Sequence, residues 1–118
     1  MNVLIVEDDA VYAKAIRSVL RKQGYKISFT DNGVDAIEKF KQESFDLVIT
    51  DIFIPDKEGI ELIQEIREIN PTVKIIAISS GGNVGRTSFL KLAEAMGANT
   101  GLEKPFGPDK IIEVINSL

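Results

Sequence analysis

The 118-residue sequence contains no cysteine and no histidine. These two absences exclude disulfides, thiol chemistry, imidazole acid–base catalysis and the usual zinc sites. A metal site in this chain must therefore be built from oxygen ligands, which suit hard cations such as Mg²⁺.

Long hydrophobic runs are also missing. The first apolar run ends at Glu7 and no later run reaches the length of a membrane span, so we expect a cytoplasmic protein without membrane contact. The 14 Lys and Arg residues against 18 Asp and Glu residues give a net charge of −4, which offers no general basic surface. We therefore expect no direct nucleic-acid binding.

The chain alternates between short apolar, β-branched runs and longer amphipathic runs, and no linker or repeat divides it. Its length fits one domain, which we place at residues 1–118. The predicted strands are Asn2–Val6, Tyr25–Thr30, Asp46–Thr50, Val73–Ile78 and Thr100–Glu103. The predicted helices are Ala10–Lys22, Gly33–Gln42, Gly59–Ile69, Thr87–Met96 and Pro108–Ser117. Strands with little polar alternation are typical of parallel sheets covered on both faces, so the pattern predicts a doubly wound α/β fold with five strands and five helices.

Polar side chains follow the predicted strands at the edge where a doubly wound sheet binds its ligand. They are Glu7, Asp8 and Asp9 after the first strand, Asp51 after the third, Ser79 and Ser80 after the fourth, and Lys104 after the fifth. Asp9 is best explained as the N-cap of the first helix. The other carboxylates would repel one another at one edge, and Mg²⁺ would remove that repulsion. With Lys104 and Ser79 opposite, the pattern favours phosphoryl transfer to Asp51.

These residues resemble the receiver domain of two-component response regulators. The similarity covers essentially the whole chain. It rests on the acidic pair Glu7-Asp8, the segment DLVITDIFIPDKEGIEL around Asp51, the run IIAISS, and EKPF around Lys104.

The resemblance implies a flavodoxin-like sheet with strand order 2-1-3-4-5, a cis Lys104–Pro105 bond and a set of site residues. That set is Asp51 as phosphoacceptor, Glu7, Asp8, Asp51 and the Phe53 backbone carbonyl as Mg²⁺ ligands, Ser79 as switch hydroxyl and Lys104 as phosphoryl-binding lysine. The implied donor is a sensor histidine kinase or a histidine phosphotransfer protein. The implied recipient of the signal is a downstream protein target or a fused output domain. A further partner to consider is a second copy of the chain, in a homodimer formed on activation.

Position 101 departs from the family pattern. The family usually carries an aromatic residue there that rotates inward on activation, whereas this chain has Gly101. We expect the conformational response to run instead through Ser80–Ser88, where three glycines allow backbone rearrangement.

Two other functions use similar sheets. A flavodoxin-like binding module would place phosphate beside the acidic residues after the first strand, where repulsion opposes it. A Mg²⁺-dependent aspartyl-phosphate phosphohydrolase typically carries a second Asp two residues after its nucleophile, where this chain has Phe53. We therefore expect a molecular switch and not an enzyme, with these two functions as alternatives.

Overall fold

The computed structural model describes residues 1–54, Asp56, residues 58–79 and residues 86–118. Strands and helices alternate along the chain in the order β1 (Asn2–Val6), α1 (Ala10–Lys22), β2 (Lys26–Thr30), α2 (Gly33–Gln42), β3 (Leu47–Asp51), α3 (Gly59–Ile69), β4 (Lys74–Ser79), α4 (Arg86–Ala95), β5 (Thr100–Glu103) and α5 (Pro108–Asn116). In this part of the chain, no helix combines the length and the apolar character that crossing a bilayer requires.

All five strands pair in parallel in the order β2-β1-β3-β4-β5. This confirms the predicted doubly wound α/β fold. Strand order reverses between β1 and β3, which are neighbours in the sheet although β2 and two helices separate them in sequence. Ligand sites of such sheets lie at the carboxyl ends of the strands flanking this reversal. The fold therefore directs attention to the residues that end β1 and β3.

The sheet has a hydrophobic core on each face, because successive strand residues point to opposite sides. Leu4, Val48 and Ile75 face the core that is completed by α2, α3 and α4. Ile5 and Ile49 face the other core, which α1 and α5 complete. Burial on both faces explains why the strand sequences are almost continuously apolar.

The predicted boundaries hold for β1, β5, α1, α2 and α3 and shift by one residue elsewhere. The shifts at β3 and β4 matter for function. Asp51 pairs with Ile78, and Ser79 pairs with Glu103, so these two polar residues are the last residues of their strands and do not follow them. Ser80 and the stretch to residue 85 lie outside the described residues, so the response segment Ser80–Ser88 stays a prediction.

Asp9 is the N-cap of α1, as predicted. Its carboxylate accepts hydrogen bonds from the backbone N–H groups of Val11 and Tyr12 at 3.0 and 3.3 Å. A carboxylate in this position pairs free N–H groups and is favoured by the helix dipole. The cap therefore fixes where α1 begins, with three residues between it and the end of β1.

Arg67 ties together three chain segments at the edge of the sheet where β4 begins. Its guanidinium donates to the backbone carbonyl of Gly97 at 2.7 and 3.1 Å and to that of Val73 at 2.6 Å. It also donates to the side-chain oxygen of Asn99 at 3.2 Å, and that oxygen accepts the N–H of Ile75. One side chain of α3 therefore holds the start of β4 and the connection into β5.

We predict that Arg67→Met lowers the free energy of unfolding by about 2–3 kcal/mol, because the apolar stem remains while partly buried carbonyls lose their donor. Urea unfolding measures the difference. Arg21→Met is the matched control, since Arg21 is exposed and its side chain has no partner among the described residues. Equal losses in the two variants would contradict the role given to Arg67.

Candidate functional site

Four strand ends deliver the predicted site residues to one edge of the sheet. Glu7 follows β1, and Asp51 ends β3, beside it, because Val6 pairs with Thr50. Ser79 ends β4, and Lys104 follows β5. The parallel arrangement therefore brings together residues that are up to 97 positions apart in sequence, counted from Glu7 to Lys104.

Lys104 lies between two buried carboxylates. Its Nζ atom is 2.9 Å from Oδ2 of Asp51 and forms a second ion pair with Oε1 of Glu7. All three residues are almost inaccessible to solvent, with 0% exposure for Glu7, 3% for Asp51 and 7% for Lys104. The charges are therefore poorly screened, and each carboxylate depends on the ammonium for compensation.

Burial sets the protonation behaviour of this group. Removal from water, together with a hydrogen bond to Asp51 that requires a proton, raises the pKa of Glu7 from 4.5 to about 7, although Lys104 opposes the shift. Burial alone would lower the pKa of Lys104, but its contacts with Glu7 and Asp51 outweigh that effect and raise the pKa. Lys104 therefore stays charged, and Glu7 is the carboxyl group that takes up a proton most readily, which relieves the excess negative charge of the site.

Glu7, Asp8 and Asp51 form an acidic cluster in which one ligand oxygen from each lies within 4.8 Å of the others. Glu7 and Asp51 are buried, whereas Asp8 is exposed. Oε2 of Glu7 is buried and receives no hydrogen bond from the described residues. A buried oxygen without a donor, beside two further carboxylates, is what a hard divalent cation would satisfy, so the residues present fit Mg²⁺.

The carboxylate of Asp51 is held from two sides. Its Oδ1 atom accepts the backbone N–H of Phe53 at 2.8 Å, while Oδ2 faces Lys104. This contact places the backbone of Phe53 next to the acidic cluster; that its carbonyl binds a metal stays a prediction. The phenyl ring is half exposed and lines a pocket of about 250 Å³ together with Ile52, Ile54, Glu58 and Ile60.

Ser79 is fully buried at the end of β4, next to Lys104. Its backbone carbonyl accepts the N–H of Lys104 at 2.9 Å. The Lys104–Pro105 bond is cis, as the resemblance implied. The structure thus brings Ser79, Lys104 and Asp51 to the same edge of the sheet.

Tyr12 is a site residue that the sequence analysis missed. The centre of its ring lies 4.4 Å from Nζ of Lys104, and the ring of Phe106 packs against it with a centroid distance of 5.6 Å. The only signal in the sequence is its position three residues after the cap Asp9, which places it on the first turn of α1. That position alone does not reveal a partner from the far end of the chain.

Gly59 is the second residue that was missed. A Cβ atom here would lie 2.4 Å from the backbone oxygen of Asp51 and 2.5 Å from Cα of Ile52. The N–H of Gly59 donates to the carbonyl of Ile52 at 2.8 Å, which closes the loop between β3 and α3. Only glycine allows α3 to begin this close to Asp51.

Asp56 anchors the same loop from outside. It adopts a left-handed backbone conformation with φ of 65°, and its side chain accepts the backbone N–H of Gly33 at 2.9 Å. Asp tolerates this conformation better than most residues. The contact connects the loop that follows Asp51 to the first turn of α2.

Leu90 explains the absence of a side chain at position 101. A Cβ atom on Gly101 would lie 2.9 Å from Cδ2 and 3.1 Å from Cβ of Leu90. Leu90 is buried in α4 and therefore fills the space beside β5. In place of an aromatic side chain at position 101, α4 packs directly on the backbone of β5.

Comparison with known proteins assigns the family. Residues 3–116 match the family model described as the response regulator receiver domain. The chain belongs to this family. The chemotaxis protein CheY of Thermotoga maritima is 35% identical over 118 residues, which cover 99% of this chain and 96% of that protein. The chemotaxis protein CheY of Bacillus subtilis is 36% identical over 116 residues, which cover 98% and 94%.

A solved structure supports the same assignment. The CheY-like response regulator receiver domain protein of Methanospirillum hungatei matches with a TM-score of 0.88 and 26% identity, over 98% of this chain and 90% of that chain. The predicted family and strand order are therefore confirmed, and this receiver domain is a component of two-component signalling. Members of the family act as phosphoacceptor switches. The acidic cluster of this chain therefore lies in a domain of a phosphoacceptor family.

We predict that Gly59→Ala destabilises the receiver domain by about 1–3 kcal/mol, because the added methyl group overlaps backbone atoms that cannot move independently. Gly107→Ala is the control: a Cβ there meets nothing within 4 Å, and the residue does not have a positive φ. Thermal melts compare the two. Equal melting temperatures for Gly59→Ala and Gly107→Ala would show that the loop accommodates the added methyl group.

A pH prediction follows from the raised pKa of Glu7. Folding favours the protonated form, so this contribution to stability is present below pH 4.5 and is lost as the pH rises to about 7. With a metal chelator present, the melting temperature of wild type should therefore fall more between pH 4.5 and about 7 than that of Glu7→Gln, which mimics the neutral carboxyl group. Glu38→Gln, on the exposed face of α2, should keep the wild-type slope. Parallel slopes for Glu7→Gln and wild type would refute the assignment.

Proposed function

We propose that Asp51 accepts a phosphoryl group from a phosphohistidine of a sensor histidine kinase or a phosphotransfer protein, in a Mg²⁺-dependent reaction. The observation that carries the proposal is the placement of the buried Lys104 ammonium 2.9 Å from Asp51, beside the cluster formed with Glu7 and Asp8. A cation on one side and a metal-binding group of acids on the other are what an incoming phosphoryl group requires of an acidic acceptor.

In the proposed reaction a carboxylate oxygen of Asp51 attacks phosphorus. The new P–O bond replaces the P–N bond of the donor, and the electron pair of that bond stays on the imidazole nitrogen. Lys104 pairs with an oxygen of the transferred group, while the N–H of Phe53 keeps the carboxylate oriented from the other side. Positioning and charge compensation thus supply the catalysis, since phosphoryl transfer needs little covalent help from the protein.

Glu7, Asp8, Asp51 and the backbone carbonyl of Phe53 are the residues that would hold Mg²⁺. When bound, the cation would neutralise phosphoryl oxygens and remove the repulsion between those oxygens and the carboxylates. The support within this chain is the buried Oε2 of Glu7, which has no donor among the described residues.

We propose that the signal leaves the site through Ser79. Its position at the end of β4, bonded through its carbonyl to Lys104, would let its hydroxyl donate to a phosphoryl oxygen. The residues 1–118 would act as one unit that presents an altered surface to a protein target or to an attached output domain. Phe53, two residues after Asp51, offers no group that transfers protons, so a switch is favoured over a phosphohydrolase.

Incubation with Mg²⁺ and a small phosphodonor such as phosphoramidate should add one acid-labile phosphoryl group to wild type, and Asp51→Asn should abolish the addition. Intact-mass spectrometry measures both. Asp109→Asn, in which an exposed carboxylate of α5 is removed, is the control and should be labelled like wild type. Undiminished labelling of Asp51→Asn would overturn the assignment of the acceptor, and labelling that is independent of Mg²⁺ would overturn the metal requirement.

A further inference from the structure

Tyr12 presents the face of its ring to the ammonium of Lys104 at the centre of the site. The distance from Nζ to the ring centre is 4.4 Å, within the range in which a cation is attracted by the ring quadrupole. We propose that Tyr12 is a positioning residue, which keeps Lys104 directed at Asp51 when the carboxylates that now hold the lysine are engaged elsewhere. This inference rests on the proposed function of Asp51.

The position of the ring is determined by structure on both sides. The backbone N–H of Tyr12 donates to the cap Asp9, which fixes the first turn of α1 relative to β1. The ring of Phe106 packs against the Tyr12 ring at an angle of 50°, and Phe106 follows Lys104 by two residues. The first turn of α1 therefore carries the ring, and the connection between β5 and α5 carries both the cation and the second ring.

Metal ions and phosphoryl groups would compete with the ammonium for its anionic partners. In this structure Lys104 has two anionic partners, Glu7 and Asp51. Both belong to the acidic cluster that would bind Mg²⁺, so metal binding and phosphorylation would weaken the two ion pairs that aim the lysine. The ring of Tyr12 carries no net charge and is not a Mg²⁺ ligand, so its attraction for the ammonium would persist.

A ring is also better suited to this place than a third carboxylate. Another anion would hold Lys104 tightly but would repel the incoming phosphoryl group, whereas a neutral ring attracts only the cation. Burial strengthens the effect, because Lys104 is 93% removed from solvent (7% exposed) and little water competes for it. The geometry thus gives Lys104 a partner that is compatible with both states of the acceptor.

The first test varies the ring electronics while holding the shape nearly constant. Tyr12 is replaced by Phe, by progressively fluorinated phenylalanines and by Leu, and phosphoramidate labelling rates are measured at saturating Mg²⁺. Tyr12→Phe should stay within about twofold of wild type, the fluorinated series should decline with ring potential, and Tyr12→Leu should be about tenfold slower, equivalent to ~1.4 kcal/mol. Tyr25→Leu, a tyrosine that packs in the core of α1 and α5 away from the site, is the control and should label like wild type.

The second test does not depend on phosphorylation. Protons above an aromatic face are shifted upfield in NMR spectra, so the Nζ and Cε protons of Lys104 should be shifted upfield in wild type and Tyr12→Phe, and not in Tyr12→Leu. The shift should persist when Mg²⁺ is added. Its loss on adding Mg²⁺ to wild type would overturn the proposal, because it would mean that the lysine leaves the ring when the carboxylates are engaged.

The two tests separate the possible failures. If wild type shows the upfield shift but accepts no phosphoryl group, the proposed function is wrong and the positioning inference falls with it. If wild type is labelled normally and the fluorinated series shows no decline, Tyr12 merely fills space and only the positioning inference is overturned. A decline in the series together with a persistent upfield shift would establish the role of Tyr12.

Discussion

The buried ammonium of Lys104 compensates two buried carboxylates, Glu7 and Asp51, and the arrangement of the strand ends depends on this contact. Two acids and one base out of water leave one excess negative charge, and such a group is stable only if its geometry is held closely. The parallel sheet provides that geometry, because β1, β3 and β5 end at the same edge. In the protein without metal, burial beside Asp51 raises the pKa of Glu7. A cation beside these carboxylates would balance the excess charge.

The opposite edge of the sheet has a different chemistry. There Arg67 donates to backbone carbonyls and to Asn99, and so fixes the connections that enter β4 and β5. The acceptors around this cation are neutral, and because Arg67 is only partly buried, solvent can compensate its charge. One end of the sheet is therefore held by hydrogen bonds to neutral groups, whereas the other end buries two carboxylates and one ammonium.

Sequence reasoning located the elements because they depend on local patterns, and it predicted that the polar residues share one edge because the carboxyl ends of parallel strands meet there. The amphipathic spacing placed α1 and α3 to the residue, and acids after apolar runs indicated the cluster that contains Asp51. The sequence prediction placed Asp51 and Ser79 just after their strands, whereas backbone pairing with neighbouring strands makes them the last residues of β3 and β4. Gly59 and Tyr12 escaped notice because their importance comes from close approach to residues of other elements. A single sequence contains no local signal for such distances.

The close packing of Leu90 on Gly101 makes these two positions a single steric unit. A larger residue at 101 requires that the leucine be displaced or replaced by a smaller residue, so neither position can be exchanged alone without overpacking or leaving a void. Chimeras that transplant the surface of α4 and β5 from a relative with an aromatic residue in β5 would therefore need both residues from the same parent. Compatibility between receiver domains along this face is accordingly a matter of paired volumes, and sequence identity across the rest of the chain does not guarantee it.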